Sequence, residues 1–122
     1  MKVLIIDDEN DIRRIARLGL SKIGKMTVID VNNGASGIEK AILEQPEAIL
    51  LDVMMPDMDG PATLAVLQAN PATKDIPVVF LTAKTLPAEL ARLNVLGVKG
   101  ILTKPFDPIT LAAQLRAIIT AK

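Results

Sequence analysis

The sequence predicts an α/β fold, doubly wound around a parallel five-stranded sheet, and three observations predict it. Val3–Ile6, Ala48–Leu51 and Ile76–Leu81 are short unbroken apolar runs, as suits strands buried on both faces. Segments with apolar residues at helical spacing alternate with these runs. Turn formers separate them: Asn33-Gly34, Pro56 to Gly60, and Asn70-Pro71. Strands alternating with helices make a three-layer (βα)5 sandwich, the sheet covered on both sides.

Composition narrows the class. The 122 residues suit one domain, residues 1–122, and half of them are hydrophobic. Fourteen basic residues balance fourteen acidic ones, which gives no support to nucleic-acid or membrane-surface binding. The only aromatic residues are Phe80 and Phe106, so the core is aliphatic. There is no Cys and no His, which excludes disulfides, thiolate chemistry, Cys/His zinc sites and histidine acid–base catalysis. The apolar start Val3–Ile6 is too short for a signal peptide, and no run approaches a membrane span. A cytoplasmic location is expected.

Each element has its own signal. Strand 1 is Val3–Ile6, ending in Asp7 and Asp8. Helix 1 is expected from Asn10 to Ile23, with Ile12, Ile15, Ala16, Gly19, Leu20 and Ile23 inward, Arg13, Arg14 and Arg17 off the stripe, and Gly24 as the stop. Met26–Val31 reads as strand 2. Helix 2 runs from Ala35 to Glu44 with Ala35, Ile38 and Ile42 inward, and Pro46 bars its continuation. Strand 3 is Ala48–Leu51, delivering Asp52 at its end. Gly60-Pro61 opens helix 3, with Pro at the first helical position. Leu64 and Leu67 face inward and Asn70-Pro71 ends it. Strand 4 is Ile76–Leu81, ending at Thr82. Helix 4 is Pro87–Leu96, stopped by Gly97. Val98–Leu102 gives strand 5, and Asp107-Pro108 caps helix 5, which buries Leu111, Leu115 and Ile118 and runs to the chain end.

Sheets of this kind place ligands at the carboxyl ends of their strands. There strand 1 delivers Asp7 and Asp8, strand 3 Asp52, strand 4 Thr82 and strand 5 Lys104. Taken singly, an Asp after a strand is commonly a helix cap or turn residue, and Asp8 alone is as well explained that way. Caps do not require a Thr and a Lys at matching strand ends. Three converging carboxylates repel one another unless compensated. A divalent cation with the Lys104 ammonium balances them, and oxygen-only ligands suit Mg²⁺. A metal, a Lys and a hydroxyl together fit a phosphoryl group, with Asp52 as nucleophile forming an acyl phosphate.

Asp7-Asp8, the stretch Leu51-Asp52-Val53-Met54-Met55-Pro56-Asp57-Met58-Asp59-Gly60, Leu81-Thr82-Ala83-Lys84 and Lys104-Pro105-Phe106 together resemble a receiver domain of a two-component response regulator. The resemblance implies the flavodoxin-like strand order 2-1-3-4-5. It implies phosphotransfer onto Asp52 from a histidine kinase or a histidine phosphotransfer protein. It also implies Mg²⁺ ligation by Asp8, Asp52 and the backbone carbonyl of Met54, with Asp7 acting through water, and a cis Lys104-Pro105 bond. Such a domain is a phosphoacceptor with weak self-phosphorylation and self-dephosphorylation chemistry, whose altered shape changes partner binding. It can equally serve as a phosphorelay intermediate or as part of a larger regulator. With helix 5 at the chain end, no effector domain is expected within these residues.

One position departs from the family. Ile101 stands in mid-strand 5, where an aromatic ring usually couples the Thr to the output surface. Met54 and Lys84 occupy positions that tune self-dephosphorylation in the family, and neither can orient an attacking water as a base. Arg13, Arg14 and Arg17 resemble the surface offered to a phosphodonor, though a solvated helix face explains each as well. Met54, Met55 and Met58 suit loop packing, and the apolar helix 4 suits a partner surface. Other classes fit worse. A haloacid-dehalogenase-type phosphohydrolase wants an acid where Met54 stands, and a flavin carrier wants a phosphate loop where Asp7-Asp8-Glu9 stands. A receiver that is not phosphorylated should lack one of the five site residues, and none is missing.

Overall fold

Alternating hydrophobic runs fold as their periodicity demands. The computed structural model describes residues 1–121. The strands are β1 (Lys2–Ile6), β2 (Thr27–Val31), β3 (Ala48–Asp52), β4 (Val78–Thr82) and β5 (Gly100–Thr103). All pair in parallel in the order β2-β1-β3-β4-β5, as the resemblance implied. The helices are α1 (Asn10–Leu18), α2 (Gly34–Glu44), α3 (Gly60–Ala69), α4 (Pro87–Asn94) and α5 (Leu111–Thr120).

The sheet separates two cores. On one face Val3, Ile5, Leu50, Val79 and Leu81 pack with Ala16 of α1 and with Leu111, Ala112 and Leu115 of α5. On the other Leu4, Ile6, Ile49, Leu51 and Phe80 pack with Ala41 of α2, Leu64 and Leu67 of α3, and Leu93 of α4. Alternation along each strand sends successive side chains to opposite cores. β3 and β4 are buried at every position, as their unbroken apolar runs require.

Several boundaries shift. Helix 1 changes character at Leu18, and its last turn, Gly19–Ile23, is a π-helix closed by the Gly24 N–H on the Gly19 carbonyl at 3.1 Å. That wider turn alters the phase from Gly19 onward and leaves Ile23, expected inward, exposed; Ile15, ahead of it and also expected inward, is exposed as well. Lys25, not Gly24, takes the left-handed conformation, at φ 58°. Helix 2 shows the clearest difference. Asn33 Oδ1 accepts the Ser36 N–H at 2.8 Å and starts the helix at Gly34. Gly34, Gly37 and Ala41 are then buried, Gly34 against Thr63 and Met58, while Ala35 and Ile42 face solvent and Ile38 is half-buried. Gly37 has a steric reason, since a Cβ there would run into the Ile6 side chain. The smallest residues, not the largest, mark this inward stripe.

In α3, Asp59 caps through the Ala62 N–H at 2.8 Å, which puts Gly60 first in the helix and Pro61 second. β4 begins at Val78, after Ile76 and Pro77, and takes in Thr82. β5 begins at Gly100 and not at Val98. Helix 4 ends at Asn94 and buries only Leu93, with Leu86 and Val95 exposed. Asp107 holds a turn through the Ile109 N–H at 2.9 Å, and α5 proper starts at Leu111 and ends at Thr120. The expectation that helix 5 and the domain reach Lys122 lies, at that residue, outside the described residues. The Lys104-Pro105 bond is cis, as expected.

The phase of α2 yields a stability prediction. Gly37→Val should cost about 2–3 kcal/mol by overpacking against Ile6. Ile42→Ser should stay within about 0.5 kcal/mol of the parent, as an exposed position does. Urea unfolding of both variants, followed by circular dichroism because the chain has no Trp, checks this contrast.

Candidate functional site

Parallel pairing delivers the site. Ile6 pairs with Leu51, so the next residues, Asp7 and Asp52, emerge side by side. Asp52 pairs with Leu81, and Thr82 with Thr103, which sets Thr82 and then Lys104 on the adjoining strands. Asp7, Asp52 and Thr82 are all buried. The loop after β3 is held close. The Gly60 N–H donates to the Val53 carbonyl at 2.8 Å, and a Cβ on Gly60 would stand 2.6 Å from the Asp52 carbonyl oxygen. Only glycine permits that approach.

Lys104 is the hub. Its side chain is 9% exposed, and its Nζ lies 3.1 Å from Asp7 Oδ2, 3.2 Å from Asp52 Oδ1 and 2.9 Å from Glu9 Oε1. Asp7 Oδ1 accepts the Glu9 backbone N–H at 2.9 Å. Thr82 Oγ1 accepts the Lys84 backbone N–H at 3.0 Å, so its own hydrogen stays available for an incoming acceptor.

One ammonium cannot balance this much buried negative charge. Burial raises the Asp7 carboxyl above its ordinary range, against the Glu9 N–H and Lys104. Asp52 is pushed up to about 7, first by burial and then by repulsion from Asp7, with Lys104 opposing. Burial works against the Lys104 charge, but Glu9, Asp7 and Asp52 outweigh it and raise the ammonium above its usual value.

The donor set fits a hard divalent cation. Asp7, Asp8 and Asp52 each bring a carboxylate oxygen to within 4.8 Å of the others. Among the described residues, Asp7 Oδ2 and Asp52 Oδ2 are buried without a hydrogen bond; the Lys104 contact to Asp7 Oδ2 has the distance but not the alignment. Buried orphan oxygens of this kind are expensive unless something binds them. All-oxygen ligands with room for water suit Mg²⁺.

Sequence reasoning missed Glu9, whose only sequence signal was its place directly after Asp7-Asp8. It also missed what holds the arginines. Arg13 donates to Asp30 Oδ2 at 3.0 Å, to the Asp7 carbonyl at 3.0 Å and to Asn10 Oδ1 at 2.8 Å. Arg17 also pairs with Asp30. Neither of these two is simply a solvated face, and Arg13 braces the loop that carries the acids. Arg14 is exposed and makes no ion pair among the described residues.

The family described as "Response regulator receiver domain" matches residues 3–116. The chain is 36% identical over 117 residues to Protein PilG of Pseudomonas aeruginosa, covering 96% of this chain and 86% of that protein. It is 36% identical over 118 residues to the probable transcriptional regulator ycf27 of Guillardia theta, covering 97% of this chain but 45% of that protein, a little under half its length. The solved structure of chemotaxis response regulator CheY4 of Vibrio cholerae matches with a TM-score of 0.88 and 30% identity, over 96% of this chain and 97% of that one.

The raised Asp52 carboxyl predicts a pH dependence. The unfolded chain releases that proton near pH 3.9, the folded one near 7, so in Mg²⁺-free buffer this group lowers stability as pH rises between those values. Asp52→Asn removes the effect. The stability of the variant relative to the parent should rise by roughly 2–3 kcal/mol between pH 5 and pH 8, measured by urea unfolding at each pH.

Proposed function

The chain belongs to the response regulator receiver domain family, and from that premise we propose that Asp52 accepts a phosphoryl group from a phosphohistidine, carried by a histidine kinase or a histidine phosphotransfer protein. The observation that carries this reading is a buried Asp52 with one oxygen 3.2 Å from Lys104 Nζ and the other without a partner. An Asp52 oxygen attacks phosphorus in line. The bond to the donor nitrogen breaks, its electron pair leaves with the imidazole, and a carboxyl–phosphate anhydride forms. Lys104 holds one phosphoryl oxygen and the Thr82 hydroxyl donates to another. Mg²⁺, held by Asp8, Asp52 and the Met54 carbonyl with Asp7 through water, would neutralise the oxygens as charge shifts.

The family is one of signalling phosphoacceptors, so the product is a changed surface and not a released metabolite. Ile101 packs half-buried against the core that holds Phe80 and Leu93. The change must therefore pass through aliphatic repacking rather than a swinging ring. Signal lifetime rests on two flanking side chains. Met54 is 61% exposed in the loop after Asp52, and Lys84 is exposed two residues after Thr82. Met54 cannot orient water strongly, and a protonated Lys84 cannot accept its proton. Slow self-hydrolysis follows.

Two measurements test the reading. Acetyl phosphate with Mg²⁺ should add one base-labile phosphoryl group to the parent and none to Asp52→Ala, as read by intact-mass spectrometry. The same adduct on Asp52→Ala would overturn the assignment. Once phosphorylated, a Met54→Asn, Lys84→Glu double variant should lose its phosphoryl group about tenfold faster than the parent, each side chain now able to position water. Equal or slower decay would place the water elsewhere.

A further inference from the structure

An ammonium has three hydrogens to donate and no more. In the resting protein three carboxylates surround Lys104 Nζ at 3.2 Å or less: Asp7, Glu9 and Asp52. Asp7 and Asp52 are buried in the sheet edge and cannot withdraw. Glu9 differs in every respect that matters. Its side chain is 58% exposed, it makes the shortest of the three contacts, and it comes from the residue preceding α1. Glu9 caps nothing, because its side chain makes no bond to the first turn of the helix it precedes.

We propose that Glu9 is a resting-state placeholder for a phosphoryl oxygen: it holds Lys104 until a phosphoryl group reaches Asp52, and it is then displaced. This rests on the reading of Asp52 as phosphoacceptor. As the P–O bond to Asp52 forms and the donor's bond to phosphorus breaks, an anionic phosphoryl oxygen competes for the hydrogens of Lys104, which in the resting protein go to Glu9 Oε1 and Asp52 Oδ1. Of the three carboxylates around Lys104 only Glu9 can move into water at little desolvation cost. Its own charge also repels an anionic donor at the mouth of the site. Glu9 is thus a positioning residue that acts through Lys104 and restrains phosphorylation. Once released, its carboxylate stands at the amino end of α1, where the unpaired N–H groups of the first turn favour negative charge. The state of Asp52 is thereby passed to a helix end.

The test follows phosphorylation by acetyl phosphate at saturating Mg²⁺, by intact-mass spectrometry, in the parent, Glu9→Gln and Asp52→Asn. Glu9→Gln keeps the shape and loses the charge, and it should phosphorylate about two- to five-fold faster than the parent at low ionic strength, as loss of a part-exposed ion pair implies. That ratio should fall toward one near ~0.5 M salt, because screening weakens the contact in the parent. A merely structural role for Glu9 would not give that salt dependence. If Asp52→Asn stays unmodified but Glu9→Gln matches the parent at low salt, the placeholder role is wrong while the reading of Asp52 stands. A ratio unchanged by salt also overturns it. Phosphorylation of Asp52→Asn would overturn the reading of Asp52 and this inference with it.

Discussion

A single ammonium stands among three carboxylates at the carboxyl edge of the sheet, and the rest of the structure is arranged to hold it there. Lys104 follows the strand most distant in sequence from Asp7, yet the register of three parallel pairings brings the two within 3.1 Å. Desolvating such charges costs several kcal/mol per ion, and the contacts return that only where geometry is good. Here the return is incomplete, because two buried oxygens keep no hydrogen bond. The site is consequently short of positive charge by design of its own residues. That shortage is what makes a divalent cation and a phosphoryl group, taken together, a chemically sensible visitor.

Rigidity around this edge comes from several small devices. Arg13 joins the Asp7 carbonyl to Asp30 at the end of β2, which ties the acidic loop to the edge strand. Gly60 lets the loop after β3 fold back against the Asp52 backbone, and Asp59 anchors α3 directly after it. Groups carried on strand ends and fixed by such contacts are placed more exactingly than groups on free loops. The contrast with the Glu9 side chain, exposed and held only through Lys104, becomes meaningful against that background.

Much of this was legible in the sequence, for identifiable reasons. Strands buried on both faces announce themselves as unbroken apolar runs, so β1, β3 and β4 and their terminal Asp7, Asp52 and Thr82 could be read directly. Lys104 could be placed because Pro105 and the preceding apolar residues mark a strand end. The phase of α2 was not legible, since its inward face is built from Gly34, Gly37 and Ala41. Close approach to Ile6 at Gly37, and to Thr63 and Met58 at Gly34, and not hydrophobicity, requires the two glycines. Nor did periodicity show the π-turn at Gly19–Ile23. The Glu9–Lys104 and Arg13–Asp30 pairs span 95 and 17 residues, and charged surface residues carry no periodic signal that names a partner.

The division of the interior into two clusters has a consequence for how the chain tolerates change. Among the described residues, the buried side chains of the α1/α5 core and of the α2/α3/α4 core form separate clusters on opposite faces of the sheet. Losses at sites with no shared neighbours sum, whereas those at touching sites do not. Substitutions divided between the faces should therefore accumulate independently, and repacking on one side demands no answering change on the other. The sheet works as a partition wall: relatives of this chain can drift on one face while the opposite face, and the acids at its rim, stay as they are.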